Sequence, residues 1–238
     1  MKKFFSYTIP VIVLLGSAGN TLGQGGGFFI SAGVASYQMD DLKYLQEHIL
    51  NTYPVEGKIT SAFPPYTSVS ITGFKHIYDY FRIGGGYSFS TTGGKSSYAD
   101  YSGNLYNTMT VTSHRLGAYL SYRLLGDDQL SLNLNGRLDA NYSSLTIESY
   151  YKIYSYSSGL TRQYWSLSPT GSVGLEGLFR IRNFALGLEA GYLVDLKGKL
   201  KENGDGDPLL DPNDQEQVLR SDWTGWSGQL KFLIWIRQ

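Results

Sequence analysis

The chain has 238 residues, 20 basic and 20 acidic side chains and no cysteine, which suits a single domain and excludes a disulfide scaffold. Balanced charge leaves no overall field to draw the protein to nucleic acid, so no nucleic-acid partner is expected. The 29 glycines and 20 tyrosines, against only 7 prolines, point to strands and turns and so to an all-β fold.

Taken in chain order, the first element is a targeting segment. Lys2 and Lys3 precede an apolar stretch at 4–15, and small residues follow, the layout of a secretory signal peptide cleaved after residue 23, with a cut after Ala18 as the alternative. A run of about 12 apolar residues is too short for a bilayer core roughly 30 Å thick, and no later run is long enough for a spanning helix. An exported chain that stays in a membrane must then cross it with strands.

The mature part, 24–238, opens with a predicted strand at 27–37. In the segment that follows, Leu42, Leu45 and Ile49 recur at helical spacing and Asp40 and Asp41 suit a helix N-terminus, so a short helix is expected there. Its apolar stripe either covers what lies beneath it or contacts a partner. Strands are predicted next at 66–75 and 79–92. The stretch STTGGKSSYADYSG at 90–103 looks like a phosphate cradle, but a phosphate loop needs a glycine where Phe89 stands, a parallel strand before it and a helix after it. Its glycines are instead expected to turn the strand out into a loop.

A strand at 109–124 sets Leu116, Ala118, Leu120, Tyr122 and Leu124 against Arg115, Gly117, Tyr119, Ser121 and Arg123. Thr112 and His114 share one face of it, a hydroxyl beside an imidazole. No acidic residue is evident to orient the ring, and a threonine stands where such chemistry favours serine, so no catalytic residue is expected. The segment LSLNLNGRLDANYS, within a strand at 129–147, alternates almost strictly between Leu, Ala or Tyr and Asn, Ser, Arg or Asp. That period of two makes one greasy and one wet face. Strands at 162–180 and 184–198 repeat the pattern. The acidic stretch 202–214 places Asn203, Asp205 and Asp207 at alternate positions, like the start of a calcium loop. Pro208 replaces the glycine of the sharp turn and no glutamate closes it, so a solvated loop is expected, with no metal and no cofactor. The last strand is predicted at 222–237.

Eight strands joined by alternately short and long connections give an eight-stranded antiparallel up-and-down transmembrane β-barrel, with short periplasmic turns and long extracellular loops. The strands exceed the roughly 9–11 residues that a tilted crossing needs. Apolar faces then meet lipid. Tyr142, Trp165, Phe179, Phe184, Tyr192 and Trp226 fall near the ends of those faces, where interface aromatics belong. Polar faces fill the lumen, and a lumen charge network of Arg82, Arg115, Arg123, Arg137, Asp139, Glu176, Arg180, Glu189, Asp195 and Lys231 is expected. Eight strands leave an interior just wide enough for side chains, so these charges should pair and close the barrel. A narrow ion path between them is the alternative.

The whole mature chain, from GGFFISAGVASY as opening strand to SGQLKFLIWI as closing strand, resembles the small eight-stranded outer-membrane β-barrel proteins, the OmpA-like and OmpX-like barrels of Gram-negative bacteria. The resemblance implies residence in the cell outer membrane, contact with outer-membrane lipid or lipopolysaccharide, and insertion by the barrel-assembly machinery. That machinery reads a terminal aromatic residue, whereas this chain ends in Gln238 with Trp235 three positions earlier. It also implies a non-enzymatic protein acting at the cell surface, with a protein partner contacted through 38–65 and 199–221. A small pore and a lipid A-modifying enzyme, the latter through His114, are the alternatives.

Overall fold

The computed structural model describes residues 25–52, 57–101, 103–214 and 216–236; the predicted signal peptide lies outside them. In chain order the elements are β1 (Gly26–Ala35), α1 (Asp40–Thr52), β2 (Lys58–Ser61), β3 (Tyr66–Tyr78), β4 (Phe81–Ala99), β5 (Gly103–Gly126), β6 (Leu130–Ile153), β7 (Tyr156–Ile181), β8 (Phe184–Asp195), β9 (Gly198–Lys199), β10 (Lys201–Glu202), β11 (Arg220–Ser221) and β12 (Gly225–Ile236). The main sheet has ten strands, of which β2 and β10 are short strips laid on β4 and β7. The other eight close on themselves. Sequence neighbours pair antiparallel all round, and β1 meets β12 from Gly26↔Ile236 to Ala35↔Ser227. Closure leaves the barrel body without an open edge.

The wall is inside out relative to a water-soluble barrel. Leu116, Leu138 and Leu188 point outward and are 67%, 71% and 66% exposed, while Ser31, Thr72, Asn133, Asn141 and Ser168 point inward and are buried. An unbroken band of exposed Leu, Ile, Val and Phe is far larger than a monomer in water tolerates. Lipid is the solvent that makes it favourable.

Two expected long loops are not loops. The strands predicted to end at 92 and begin at 109 run on to Ala99 and from Gly103, and β6 and β7 likewise continue to Ile153 and from Tyr156. Strands β4 to β7 therefore have 19, 24, 24 and 26 residues, against 10 to 13 for β1, β3, β8 and β12. Half the barrel carries a four-stranded wall that stands above the other half. The glycines of STTGGKSS do not turn the chain out; they lie paired in this wall, Gly93 with Thr110 and Gly94 with Met109. A Cβ on Gly94 would sit 2.6 Å from Gln46 Oε1, so its bareness leaves room for the buried Gln46 side chain of α1.

The face that is apolar reverses along β5 and β6. On β5, Leu116 and Leu120 face outward low on the barrel, whereas higher up Leu105, Met109 and Val111 are buried facing inward. On β6 the outward Leu130 to Leu138 give way to inward Leu145 and Ile147. Below the reversal the outside meets lipid. Above it the outside meets water and the inside meets α1 and the segment between β8 and β12.

Candidate functional site

The lumen is filled in layers, starting at the end with the short turns. One of those turns follows Gly126, whose φ of 92° suits glycine. It is fixed by Asp127 Oδ1, which accepts from the backbone N–H of Gln129 and Leu130 at 2.8 and 2.9 Å. Those bonds hold the exposed Asp127 carboxyl below its ordinary value.

Above this end lies an apolar cluster of Phe29, Phe74, Tyr119, Leu178, Ala185 and Leu233, and the ionic centre is embedded in it. Glu176 is the hub. Its Oε1 accepts from Arg82 Nη2 at 2.8 Å and Asn133 Nδ2 at 3.1 Å, and its Oε2 from Lys231 Nζ at 2.7 Å and Asn135 Nδ2 at 3.3 Å. Lys231 also donates to Glu189 at 2.5 Å and lies 4.5 Å from the Phe29 ring centroid; Asn135 bonds Glu189 as well. Every lone pair of the buried Glu176 carboxylate faces a donor, the condition under which a buried charge is tolerated.

The structure thus brings together Arg82, Glu176, Glu189 and Lys231, and separately Arg137 with Asp139 at 3.0 Å. It does not bring together the rest. Arg115 donates to Ser90 Oγ at 3.1 Å and has no carboxylate partner among the described ion pairs. Asp195 accepts from Ser168 Oγ at 2.6 Å and from the backbone N–H of Trp223 and Lys197, both at 3.2 Å; neutral donors take the role a cation was expected to fill. Arg123 and Arg180 are corrections of another kind. They belong to the rim, not to the packed interior. Arg123 pairs at 3.0 Å with the exposed Asp128 of the adjacent turn, and Arg180 lies over the Trp235 ring at 4.6 Å. Both stand near the strand ends, where an inward side chain has solvent within reach.

A cavity of about 40 Å³ beside Arg115, Arg137 and Asp139 separates the ionic centre from the far mouth, room for a few water molecules at most. Above it the upper core closes the barrel: Met39, Leu42, Leu45, Phe63, Tyr66, Met109, Val111, Leu145, Leu200, Leu219 and Trp223 pack together. Helix α1 supplies Leu42 and Leu45, and Ile49 is partly buried, so the predicted stripe packs inward as a lid. The segment after β8 folds over as well. Its β9 and β11 pair, Trp223 Nε1 donates to Ser143 Oγ at 2.8 Å, and Arg220 N donates to Asp41 Oδ2 at 2.9 Å. Tyr44 and Asn213 join helix to loop. Tyr37, in the lid, has its hydroxyl 2.5 Å from Pro64 O and 2.6 Å from Thr92 Oγ1, and burial pushes its pKa up to about 12.

On the outside, Phe89, His114 and Tyr142 are cross-strand partners on one line around the wall, with Leu167 next. Their rings follow one another at 5.2 and 6.3 Å, and Trp165 stacks on Tyr142 at 6.5 Å. This belt marks where the apolar face reverses. Tyr192 and Trp226 meet at 5.0 Å on the other half of the barrel, while Phe184 stacks on Phe232 at 5.7 Å, with Phe179 nearby, at the short-turn end. His114 is therefore a belt residue: its Nδ1 lies 2.6 Å from Tyr87 Oη. Sequence reasoning placed the outer aromatics but missed the apolar inner face of the wall, although the change of phase at Leu145 and Ile147 is written in the sequence.

No protein-family model matches the sequence, and no curated protein matches it. Several solved structures are similar in fold. Ail, the attachment invasion locus protein of Yersinia pestis, is 11% identical with a TM-score of 0.41, covering 90% of this chain and all of that one; it has also been solved with the heparin analogue sucrose octasulfate. Neisserial surface protein A is 15% identical with a TM-score of 0.37, over 90% of this chain and 100% of that one. The outer membrane protein OprG of Pseudomonas aeruginosa is 12% identical with a TM-score of 0.41, over 90% of this chain and 98% of that one.

Proposed function

We propose that this protein is an integral β-barrel of the outer membrane, without enzymatic activity and closed to ions, that presents α1 and the β4 to β7 wall for contacts at the cell surface. The observation that carries the reading is the reversal of the apolar face at the aromatic belt: below it the outer face suits lipid, above it water. A wall that leaves the bilayer at that line stands among headgroups and beyond, so lipopolysaccharide is its first neighbour. A protein partner is reached through 38–65 and 199–221, the segments that form the lid. The barrel-assembly machinery is its route into the membrane.

The closed lumen is supported by the packing on both sides of the 40 Å³ cavity: the Glu176 hub on one side and the Trp223 core on the other. The non-enzymatic reading is supported by the company of His114, whose Nδ1 is tied to a phenol within an aromatic belt. Fractionation of cells and a heat-dependent shift in gel mobility test the barrel and its address; a chain recovered soluble from the periplasm overturns both. Planar-bilayer recording of reconstituted protein tests closure, with no discrete conductance expected. Cross-linking on intact cells, wild type against deletions within 38–65 and 199–221, tests the partner surface. Lipid A mass spectra should be the same with wild type and with His114→Ala.

A further inference from the structure

We propose that Lys199, Lys201 and Arg220 form a site for the phosphate groups of an outer-leaflet glycolipid of the lipid A type. The inference rests on the outer-membrane reading above and names the chemistry by which one sector of the barrel meets the headgroups. Along β8 the outward residues include Leu186, Leu188, Tyr192 and Val194, and the exposed Leu196 follows. At Lys197, whose φ of 58° is left-handed, the alternation shifts by one residue. Beyond it Gly198 and Leu200 are buried while Lys199 and Lys201 are exposed. The outward face thus passes from leucine and valine to lysine with no neutral polar residue between. On the long wall the same boundary is crossed differently: Thr91, Thr112 and Ser144 come next above Phe89, His114 and Tyr142.

The height of these cations is fixed by the belt. Lys201 is the cross-strand partner of Trp165, so both side chains rise from one face. Its Nζ lies 5.8 Å from the Trp165 ring centroid, and that ring stacks on Tyr142 at 6.5 Å. Lys199 is two residues nearer the apolar band, about 7 Å along the strand. Arg220, also exposed, is the cross-strand partner of Lys199, about 5 Å away. Three cations therefore surround a space that a single phosphate can bridge, beside the aromatic rings where headgroups begin. Lysine stems can lie along the apolar band while their ammonium groups reach the phosphates.

The charge is not spent within the protein. Lys197 pairs with Asp222 at 3.0 Å, but Lys199, Lys201 and Arg220 are in none of the ion pairs among the described residues. Asp41 stands nearby, accepting from the Arg220 backbone N–H. Glu202 is the partner of the buried Tyr164, and Asp207 is in phase with Leu209, which packs on the upper core; both fall on the other face. With Asp41 set against the three cations, two positive charges remain. An acidic protein would answer to the same charges, but only a lipid explains their place at the edge of the lipid-facing band. A lysine or arginine near an anionic membrane surface contributes about fivefold in affinity.

The test uses the full chain refolded in detergent and titrated with bisphosphorylated lipid A or with the same lipid after dephosphorylation, bound lipid being read by native mass spectrometry. The expected result is saturable binding of lipid A, about tenfold or more tighter than that of the dephosphorylated lipid, and no displacement by equimolar inorganic phosphate. Lys199→Gln, Lys201→Gln and Arg220→Gln combined should weaken binding about a hundredfold while the heat-dependent gel shift is retained. Lys95→Gln with Lys152→Gln, which removes exposed cations higher on the wall, should leave binding unchanged. Equal affinity for the two lipids, displacement by free phosphate, a triple variant that binds like wild type, or the same loss from both sets of substitutions overturns the proposal. Absence of the gel shift in the wild-type chain would instead overturn the barrel reading beneath it.

Discussion

Replacing Glu176 by glutamine tests the reasoning about the lumen most directly. The carboxylate is 0% exposed, and its two oxygens accept from four donors. Glutamine keeps the size but turns one oxygen into an NH2 group, which then faces two donors. It also leaves Arg82 without its carboxylate, and Lys231 with Glu189 alone. Removing one partner of a buried pair costs about 3–5 kcal/mol, a large fraction of the roughly 5–15 kcal/mol that holds a typical domain together. The assay is urea unfolding in detergent followed by tryptophan fluorescence, with loss of the heat-dependent gel shift as a second readout. Lys231→Met provides the control for interaction. Because the two residues share one hydrogen-bonded hub, Glu176→Gln combined with Lys231→Met should cost clearly less than the sum of the single changes. A loss below about 1 kcal/mol for Glu176→Gln, or strict additivity, would refute the idea that a satisfied ionic hub closes the barrel, because surface charges behave in that way.

Leu138→Arg, on an outward residue near the middle of the apolar band, should cost about 2–4 kcal/mol in a bilayer, whereas a solvated surface would absorb it within about 0.5 kcal/mol; vesicle refolding distinguishes the two. Leu42→Ala should cost about 2–5 kcal/mol, spent on the lid: proteolysis within 38–65 should accelerate while the barrel keeps its gel shift. Gly94→Leu should loosen the same lid by displacing Gln46, whose side chain sits 2.6 Å from the position of the new Cβ. The Tyr37 hydroxyl, raised from 10.0 to about 12, favours the neutral form in the folded lid. Its contribution is complete below pH 10.0 and is lost as pH rises through about 12. A tyrosinate absorbance titration, wild type against Tyr37→Phe, should show one residue ionising late, and lid opening in step with the ordinary tyrosines would contradict it.

The sequence by itself determined the barrel body. Strict alternation from Leu130 to Tyr142, and its echoes in the neighbouring segments, can be satisfied only by strands with two unlike solvents on their faces. The helix at Asp40–Thr52 was legible for the same reason: Leu42, Leu45 and Ile49 keep a helical period. The upper wall was less legible because its outward residues, such as Thr108, Thr110 and Thr112, are polar on a strand whose inward residues change to Leu, Met and Val. A reader following one apolar face sees that phase vanish at the belt and infers a loop. Only the tertiary structure decided which charges meet. Glu176, Arg82 and Lys231 come from three different strands and lie 94 and 55 residues apart along the chain, so their contact depends on the stagger of the closed barrel, which side-chain period does not encode. The same stagger left Arg115 and Asp195 to hydroxyls and amides, carried Arg123 and Arg180 to the rim, and set Gly94 under Gln46. Period two fixes the face on which a side chain lies; closure and stagger fix its height, and in this lumen height decides the partner.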